Sequence, residues 1–117
     1  MNEHEKINYI EFPAKDINVA KTFFSTVFDW EFVDYGLDYV AFSNAGIDGA
    51  FFKADLSVSA KKGSALIVFY SNDLEKTQTK IKNVGGTILQ DIFSFPGGRR
   101  FHFSDPNGNE YAVWSDK

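Results

Sequence analysis

The chain has no cysteine and only two histidines, His4 and His102. The first absence excludes a disulfide framework, a thiolate metal site and a cysteine nucleophile. The second excludes any multi-histidine metal site within one chain. No apolar stretch approaches the ~20 residues that cross a bilayer as a helix, so no membrane partner is expected. Basic residues come no more than two in a row, at Lys61-Lys62 and Arg99-Arg100, and the formal net charge is −4 with a pI near 5.0. That balance repels a phosphate backbone, and nucleic acid is not an expected partner. The N-terminal Met1-Asn2-Glu3-His4-Glu5-Lys6 is polar and carries no apolar signal core. These absences predict a soluble, cytoplasmic protein.

What is present is apolar and aromatic. Of 117 residues, 44% are hydrophobic and 17% aromatic, with 13 phenylalanines. One core of ordinary size is affordable at this length, and disorder of the body of the chain is excluded.

The chain also repeats itself at an offset of 57. Ile10 falls on Ile67, Phe12 on Phe69, Asp16 on Asp73, Thr22 on Thr79 and Val27 on Val84. Ile17 with Leu74, Phe24 with Ile81 and Phe32 with Leu89 keep apolar character. Each copy reads as strand, Asp, amphipathic helix and further strands. A fold of two such units has a seam, and seams are common places for pockets.

The elements follow from local chemistry. Ile7 to Phe12 reads as a strand that Pro13 ends, because proline has no N–H for a ladder. Asp16 is an N-cap for a helix whose apolar face is Ile17, Ala20, Phe23, Phe24, Val27 and Phe28. Trp30 to Tyr35, Asp38 to Ser43 and Gly49 to Ala54 are strands separated by turns at Gly36 and Asn44-Ala45-Gly46. Residues 55–63, polar and small, are the linker between module one (about 7–54) and module two (about 64–117). In module two, Ser64 to Tyr70 is a strand and Asp73 a cap. The second helix face is Leu74, Thr77, Ile81 and Val84, and a left-handed glycine of Gly85-Gly86 stops the helix. Thr87 to Phe93 is a strand, and Phe95-Pro96-Gly97-Gly98 a flexible loop. Arg99 to Ser104 and Asn109 to Trp114 form a hairpin over Asp105-Pro106-Asn107-Gly108, a type I turn followed by a left-handed residue. The total is eight strands and two helices, an α+β fold of two tandem βαβββ modules.

Several of these segments carry a resemblance: Ile10-Glu11-Phe12-Pro13-Ala14-Lys15-Asp16-Ile17, Phe28-Asp29-Trp30, Val84-Gly85-Gly86 and above all Ser104-Asp105-Pro106-Asn107-Gly108-Asn109. In this order and spacing they resemble the glyoxalase/bleomycin-resistance/dioxygenase (vicinal oxygen chelate) superfamily over nearly the whole chain. The resemblance implies paired βαβββ modules with curved sheets enclosing a cleft, and usually a dimer. Metal-dependent members carry His, Glu or Gln ligands on the first and last strands of each module. The matching positions here are Tyr9, Leu66, Ala112 and one residue within 50–53, which reads Ala-Phe-Phe-Lys. None is a good ligand for a divalent metal, so no metal and no cofactor are expected.

Strand alternation then sorts residues by face. If Tyr9 and Leu66 face the cleft, so do Glu11, Val68 and Tyr70, while Ile10, Phe12, Ile67 and Phe69 pack under the helices. Ala112 brings Glu110 and Trp114 to the cleft face, and the family register adds Arg100 and His102. Glu11, between Ile10 and Phe12, needs a partner if buried, and Arg100 or His102 is the expected one. It is either a general base or half of a structural ion pair. His102 is a candidate for proton transfer near neutral pH or a satisfied structural residue. Arg100 suits a carboxylate or phosphate, or pairs with Glu11, or is exposed. Tyr9, Tyr70 and Trp114 line an aromatic pocket, or serve dimer contact or core.

Three functions fit. The first is a metal-independent module that binds a small organic molecule in an aromatic-lined cleft, its acidity suiting cationic aromatic ligands. The second is a metal-free isomerase or lyase using Glu11 or His102. The third is an interaction domain with a filled cleft. A homodimer is expected, because 17% aromatics is much for so small a chain to hide.

Overall fold

The computed structural model describes residues 2–117. The order is β1 (Tyr9–Ala14), α1 (Ile17–Phe28), β2 (Glu31–Asp34), β3 (Tyr39–Ser43), β4 (Asp48–Lys53), β5 (Ile67–Tyr70), α2 (Leu74–Asn83), β6 (Thr87–Phe95), β7 (Gly98–Ser104) and β8 (Glu110–Ser115). A 3-10 turn at Ala60–Lys62 lies in the segment between the modules. The strands form two four-stranded mixed sheets, β1-β4-β3-β2 and β5-β8-β7-β6. In each, the first and last strands of the module run parallel and the rest antiparallel. This is the α+β fold of two tandem βαβββ modules predicted from the repeat.

The helix ends form where the capping residues stand. Asp16 accepts from the Val19 N–H at 3.2 Å and Asp73 from the Lys76 N–H at 3.2 Å. After α2, Gly85 sits at φ 93°, and the next N–H, of Gly86, donates to the Ile81 carbonyl. Buried Ile17, Ala20, Phe23, Phe24 and Val27 give α1 a broad apolar face. On α2 the buried residues are Leu74, Gln78 and Ile81. Thr77, expected on that face, is half-buried and bonds Ser71 instead.

Four expectations are corrected. Pro13 does not end β1 but lies inside it. β1 is an edge strand bonded to β4 alone, so a residue without an N–H is tolerated there. Residues 95–98 are not a flexible loop but a tight hairpin, with Phe95 opposite Gly98. Leu66 precedes β5 and is not part of it. Leu89 does not repeat the packing of Phe32; it is 51% exposed, because β6 slips register between Ile88 and Gln90.

One core serves both modules. The Phe24 ring stacks on Trp30 with 4.4 Å between centroids and touches Phe51 of β4 and Tyr111 of β8 at 5.4 Å each. Phe28 stacks on Phe69 at 4.3 Å, and Phe12 meets Tyr111 at 5.5 Å. All these side chains lie on the helix-covered faces of the two sheets.

The turn after β7 locks the seam with hydrogen bonds. Asn107 accepts from the Asp16 N–H at 2.8 Å and donates to the Asp16 carbonyl at 2.9 Å. Asn109, fully buried, donates to the Pro13 carbonyl at 2.7 Å and accepts from the Val58 N–H at 2.9 Å. Asp105 holds the turn itself, accepting from the Asn107 and Asn109 N–H groups and from the Tyr111 hydroxyl. Its burial outweighs these donors and pushes its carboxyl above the usual aspartate range.

Candidate functional site

Each sheet has a second face, turned away from the helices, and residues opposite one another in the ladder share it. On the first sheet Glu11, Ala50 and Ala41 form one cross-strand row, and Phe52 and Tyr39 lie in the next. On the second sheet Val68, Ala112, His102 and Gln90 form one row, and Tyr70, Trp114, Arg100 and Phe93 the next. The predicted site residues therefore fall on two separate faces. The aromatic contacts between the modules, among the described residues, all run through the opposite, core-side faces. At the seam lies an apolar cavity of about 350 Å3, lined by Ile10, Phe12, Trp30, Phe42, Ile67 and Phe69 among others.

Glu11 is not paired with Arg100 or His102. It is exposed, and its carboxylate accepts from the Tyr39 hydroxyl at 2.8 Å. The physical reason is topological. β1 is an edge strand of one sheet and β7 belongs to the other, so no burial penalty forces a cation toward Glu11. Tyr9 lies 2.7 Å from Tyr39, oxygen to oxygen. Since the Tyr39 proton goes to Glu11, Tyr9 donates to Tyr39. The bond to Tyr9, then desolvation and then the Glu11 bond raise the Tyr39 hydroxyl well above its ordinary value.

The second face is built differently. His102 Nδ1 lies 3.0 Å from a Glu110 carboxylate oxygen, and both side chains are well buried, at 10% and 13% exposure. A carboxylate can only accept, so Nδ1 carries a proton, and Nε2 is the ring atom left without a committed partner. The other Glu110 oxygen accepts from the Ala60 N–H at 2.9 Å, so the segment joining the modules anchors the carboxylate that orients the histidine. His102 Nε2 is buried and has no hydrogen-bond partner in the protein, and neither has Arg100 Nε.

An aromatic wall runs past these two atoms. Tyr70 meets Trp114 edge-on at 5.3 Å, and Trp114 meets Phe95 at 6.5 Å. The Arg100 guanidinium lies 5.9 Å from the Phe95 ring centre and 5.5 Å from that of Phe93, and Phe93 stacks on His102 at 6.1 Å. The Tyr70 hydroxyl is tied to Asp116 at 2.6 Å. Val68 and Tyr70 are exposed, Leu66 is half-buried, and Ala112 is fully buried as the floor of the row.

Phe93, Phe95 and Gln90 escaped the reading by alternation. Across from β7, a step of two residues from His102 to Arg100 matches a step of three from Gln90 to Phe93. The bulge puts Phe93 on a face that strict parity denies it. No local feature of the sequence in 87–95 marks that position.

The mapped metal positions do not fit a divalent ion. Among Tyr9, Leu66, Ala112 and residues 50–53 (Ala-Phe-Phe-Lys), only Tyr9 and Lys53 carry a side-chain heteroatom; the Tyr9 phenol is engaged by Tyr39 and the Lys53 ammonium is a cation. Among the described residues, no three His, Cys, Asp or Glu side chains converge. Nor, among them, is any helix long and apolar enough to cross a membrane.

The sequence matches the model of the Glyoxalase/Bleomycin resistance protein/Dioxygenase superfamily over residues 6–113. No curated protein matches it in sequence. Among solved structures, a glyoxalase-related enzyme from Fulvimarina pelagi is similar with a TM-score of 0.78 at 16% identity, over 95% of this chain and 88% of the other. The fosfomycin resistance protein FosX from Listeria monocytogenes gives 0.78 at 19% identity, over 97% and 94%. Lactoylglutathione lyase from Agrobacterium tumefaciens gives 0.71 at 19% identity, over 97% and 96%. At such identities the likeness is one of fold.

Proposed function

Because the chain belongs to the Glyoxalase/Bleomycin resistance protein/Dioxygenase superfamily, we propose that it is a metal-independent, cytoplasmic member that binds a small organic molecule on the aromatic face of module two. One observation carries this reading: Arg100 Nε and His102 Nε2 are buried without a partner beside Phe93, Phe95 and Trp114. Buried polar groups are paired in the great majority of proteins, and an orphaned pair calls for something to meet it. The test is a thermal-shift screen of small organic compounds. A compound at 100 times its dissociation constant adds about 2.7 kcal/mol of stability, and Trp114→Ala should abolish the shift. A screen without a hit, or hits untouched by Trp114→Ala, would refute the reading. Metal independence is checked by elemental analysis of untagged protein, where one stoichiometric transition metal would overturn it.

A second reading, metal-free proton transfer, has support at one of its two candidate residues. His102 has the carboxylate-oriented ring and the free Nε2 that a general base needs. Glu11 has neither burial nor a basic neighbour, and is held by a phenol. Turnover of a screened ligand that disappears in His102→Asn would establish this reading over plain binding.

The homodimer belongs to the same proposal. Tyr9, Val33, Tyr35, Val68 and Tyr70 are exposed, and a second copy would cover such surface. Light scattering that reports only monomer at micromolar concentration would rule it out.

A further inference from the structure

We infer that the ligand of the module-two face is a planar organic anion, a carboxylate or its equivalent, bridging Arg100 and His102, with Glu110 as the residue that positions the histidine. The inference rests on the reading that this face binds a small molecule, and it adds the ligand's charge and shape.

Two adjacent arginines supply the first argument. Arg99 is satisfied: its guanidinium donates to both Glu75 oxygens, at 2.6 and 3.2 Å, and to the Lys117 carbonyl. Arg100, one residue on and pointing to the opposite face, is in no ion pair among the described residues. Its charge lies against the Phe93 and Phe95 rings, and its Nε is buried without an acceptor. A half-buried guanidinium with aromatic faces beside it, no carboxylate partner and a buried Nε without an acceptor favours an incoming anion.

His102 supplies the second argument. It lies two residues from Arg100 on the same face, about 7 Å along the strand. With Nδ1 committed to Glu110, Nε2 is the atom left to meet a ligand. An acid arriving with its proton can give it to Nε2. An anion is met equally by a protonated ring, whose second charge Glu110 balances. Either way Arg100 Nε–H and His102 Nε2–H donate to the oxygens of one group, and both orphans are satisfied. The preference for a planar body comes from the ring faces that flank the two nitrogens: Phe93 stacked on His102 at an interplanar angle of 22°, and Phe95 beside the Arg100 guanidinium.

The experiment uses benzoate, benzamide and benzylamine as probes of one shape and three charges, titrated by calorimetry against the full chain. Benzoate should bind tightest. Arg100→Gln, checked for folding by circular dichroism, should weaken benzoate about tenfold or more and leave benzamide unchanged. Nitrogen NMR should show His102 Nε2 protonated in the benzoate complex, and a lone-pair signal there would overturn the inference. In Glu110→Gln the unliganded ring should populate both tautomers. Benzamide or benzylamine binding as tightly as benzoate would overturn the anion while leaving small-molecule binding intact. Binding of none of the three would also overturn it, and the wider compound screen would then decide the broader reading.

Discussion

The two modules share a topology and differ in which face their side chains serve. On the helix-covered faces they agree: Ile10 and Ile67, Phe12 and Phe69, and the caps Asp16 and Asp73 occupy matching places and do matching work. On the opposite faces they part. The row Glu11, Ala50, Ala41 of the first sheet corresponds to Val68, Ala112, His102 of the second, and Phe52 with Tyr39 to Trp114 with Arg100. Module one closes its polar groups on each other, Tyr9 to Tyr39 to Glu11. Module two leaves two nitrogens open. The shared half of the repeat builds the common core, and the divergent half is where the polar side chains of the two modules differ.

The helices differ as well, and this contrast can be broken experimentally. Phe24 of α1 is fully buried and stacks on rings from both modules, while its counterpart Ile81 of α2 is fully buried without a ring to lose. Phe24→Ala should cost about 3–5 kcal/mol, at the upper end for a core truncation, and Ile81→Ala about 2–4 kcal/mol. Urea unfolding midpoints measure both. An equal or larger loss at Ile81 would show that module two, and not α1, carries the common core.

A smaller effect tests the seam. Asn109→Ala removes a buried amide and leaves the Pro13 carbonyl and the Val58 N–H without partners. The expected cost is about 2–4 kcal/mol. If the modules were held by apolar packing alone, calorimetry would show a loss below about 1 kcal/mol.

The smallest effects are those of pH, and within module two they run in opposite directions. Glu75 is held below its usual range, chiefly by its bond to Arg99. Its contribution is present above the unfolded glutamate value and is lost as pH falls. The stability gap between wild type and Glu75→Gln should therefore shrink on acidification. Asp105 is raised by burial. Its contribution is complete below the unfolded aspartate value and is lost as pH rises through the folded one, so the gap to Asp105→Asn should widen on acidification. Melting temperatures of the three proteins between neutral pH and mild acid give both slopes, and slopes of one sign would contradict the assignment.

Much of the fold was legible because its signals are local. Asp16, Asp73 and Gly85 mark helix ends by their own chemistry, and Asp105-Pro106-Asn107-Gly108 marks its turn, with Gly108 at φ 89°. The candidate site was half legible. The family resemblance placed Ala112, Arg100 and His102 on one face, and parity along β8 added Glu110 and Trp114, where the ladder has them. Parity cannot say which sheet a strand joins, and so Glu11 was assigned a partner that lies in the other sheet. Parity also fails at a bulge, which is why Phe93 was overlooked. The Asp-Pro-Asn-Gly-Asn stretch read as a hairpin turn, but three of its bonds leave the hairpin for the β1–α1 junction. Those bonds span sequence separations of 91 and 96 residues, beyond any local reading.

Those separations have a consequence for how the chain is made. The bond from Asn109 to Pro13 closes a loop of nearly the whole polypeptide, and contacts of such span form late because their closure entropy must be met first. During synthesis, the Pro13 carbonyl and the Asp16 N–H wait for Asn109 and Asn107 to emerge. The shared aromatic core and the first strand–helix junction of module one are thus both completed only when module two is nearly finished. A chain stopped before Asp105 would lack both this turn and β8, the strand that joins β5 to β7, so the second sheet and the β1–α1 junction are completed together.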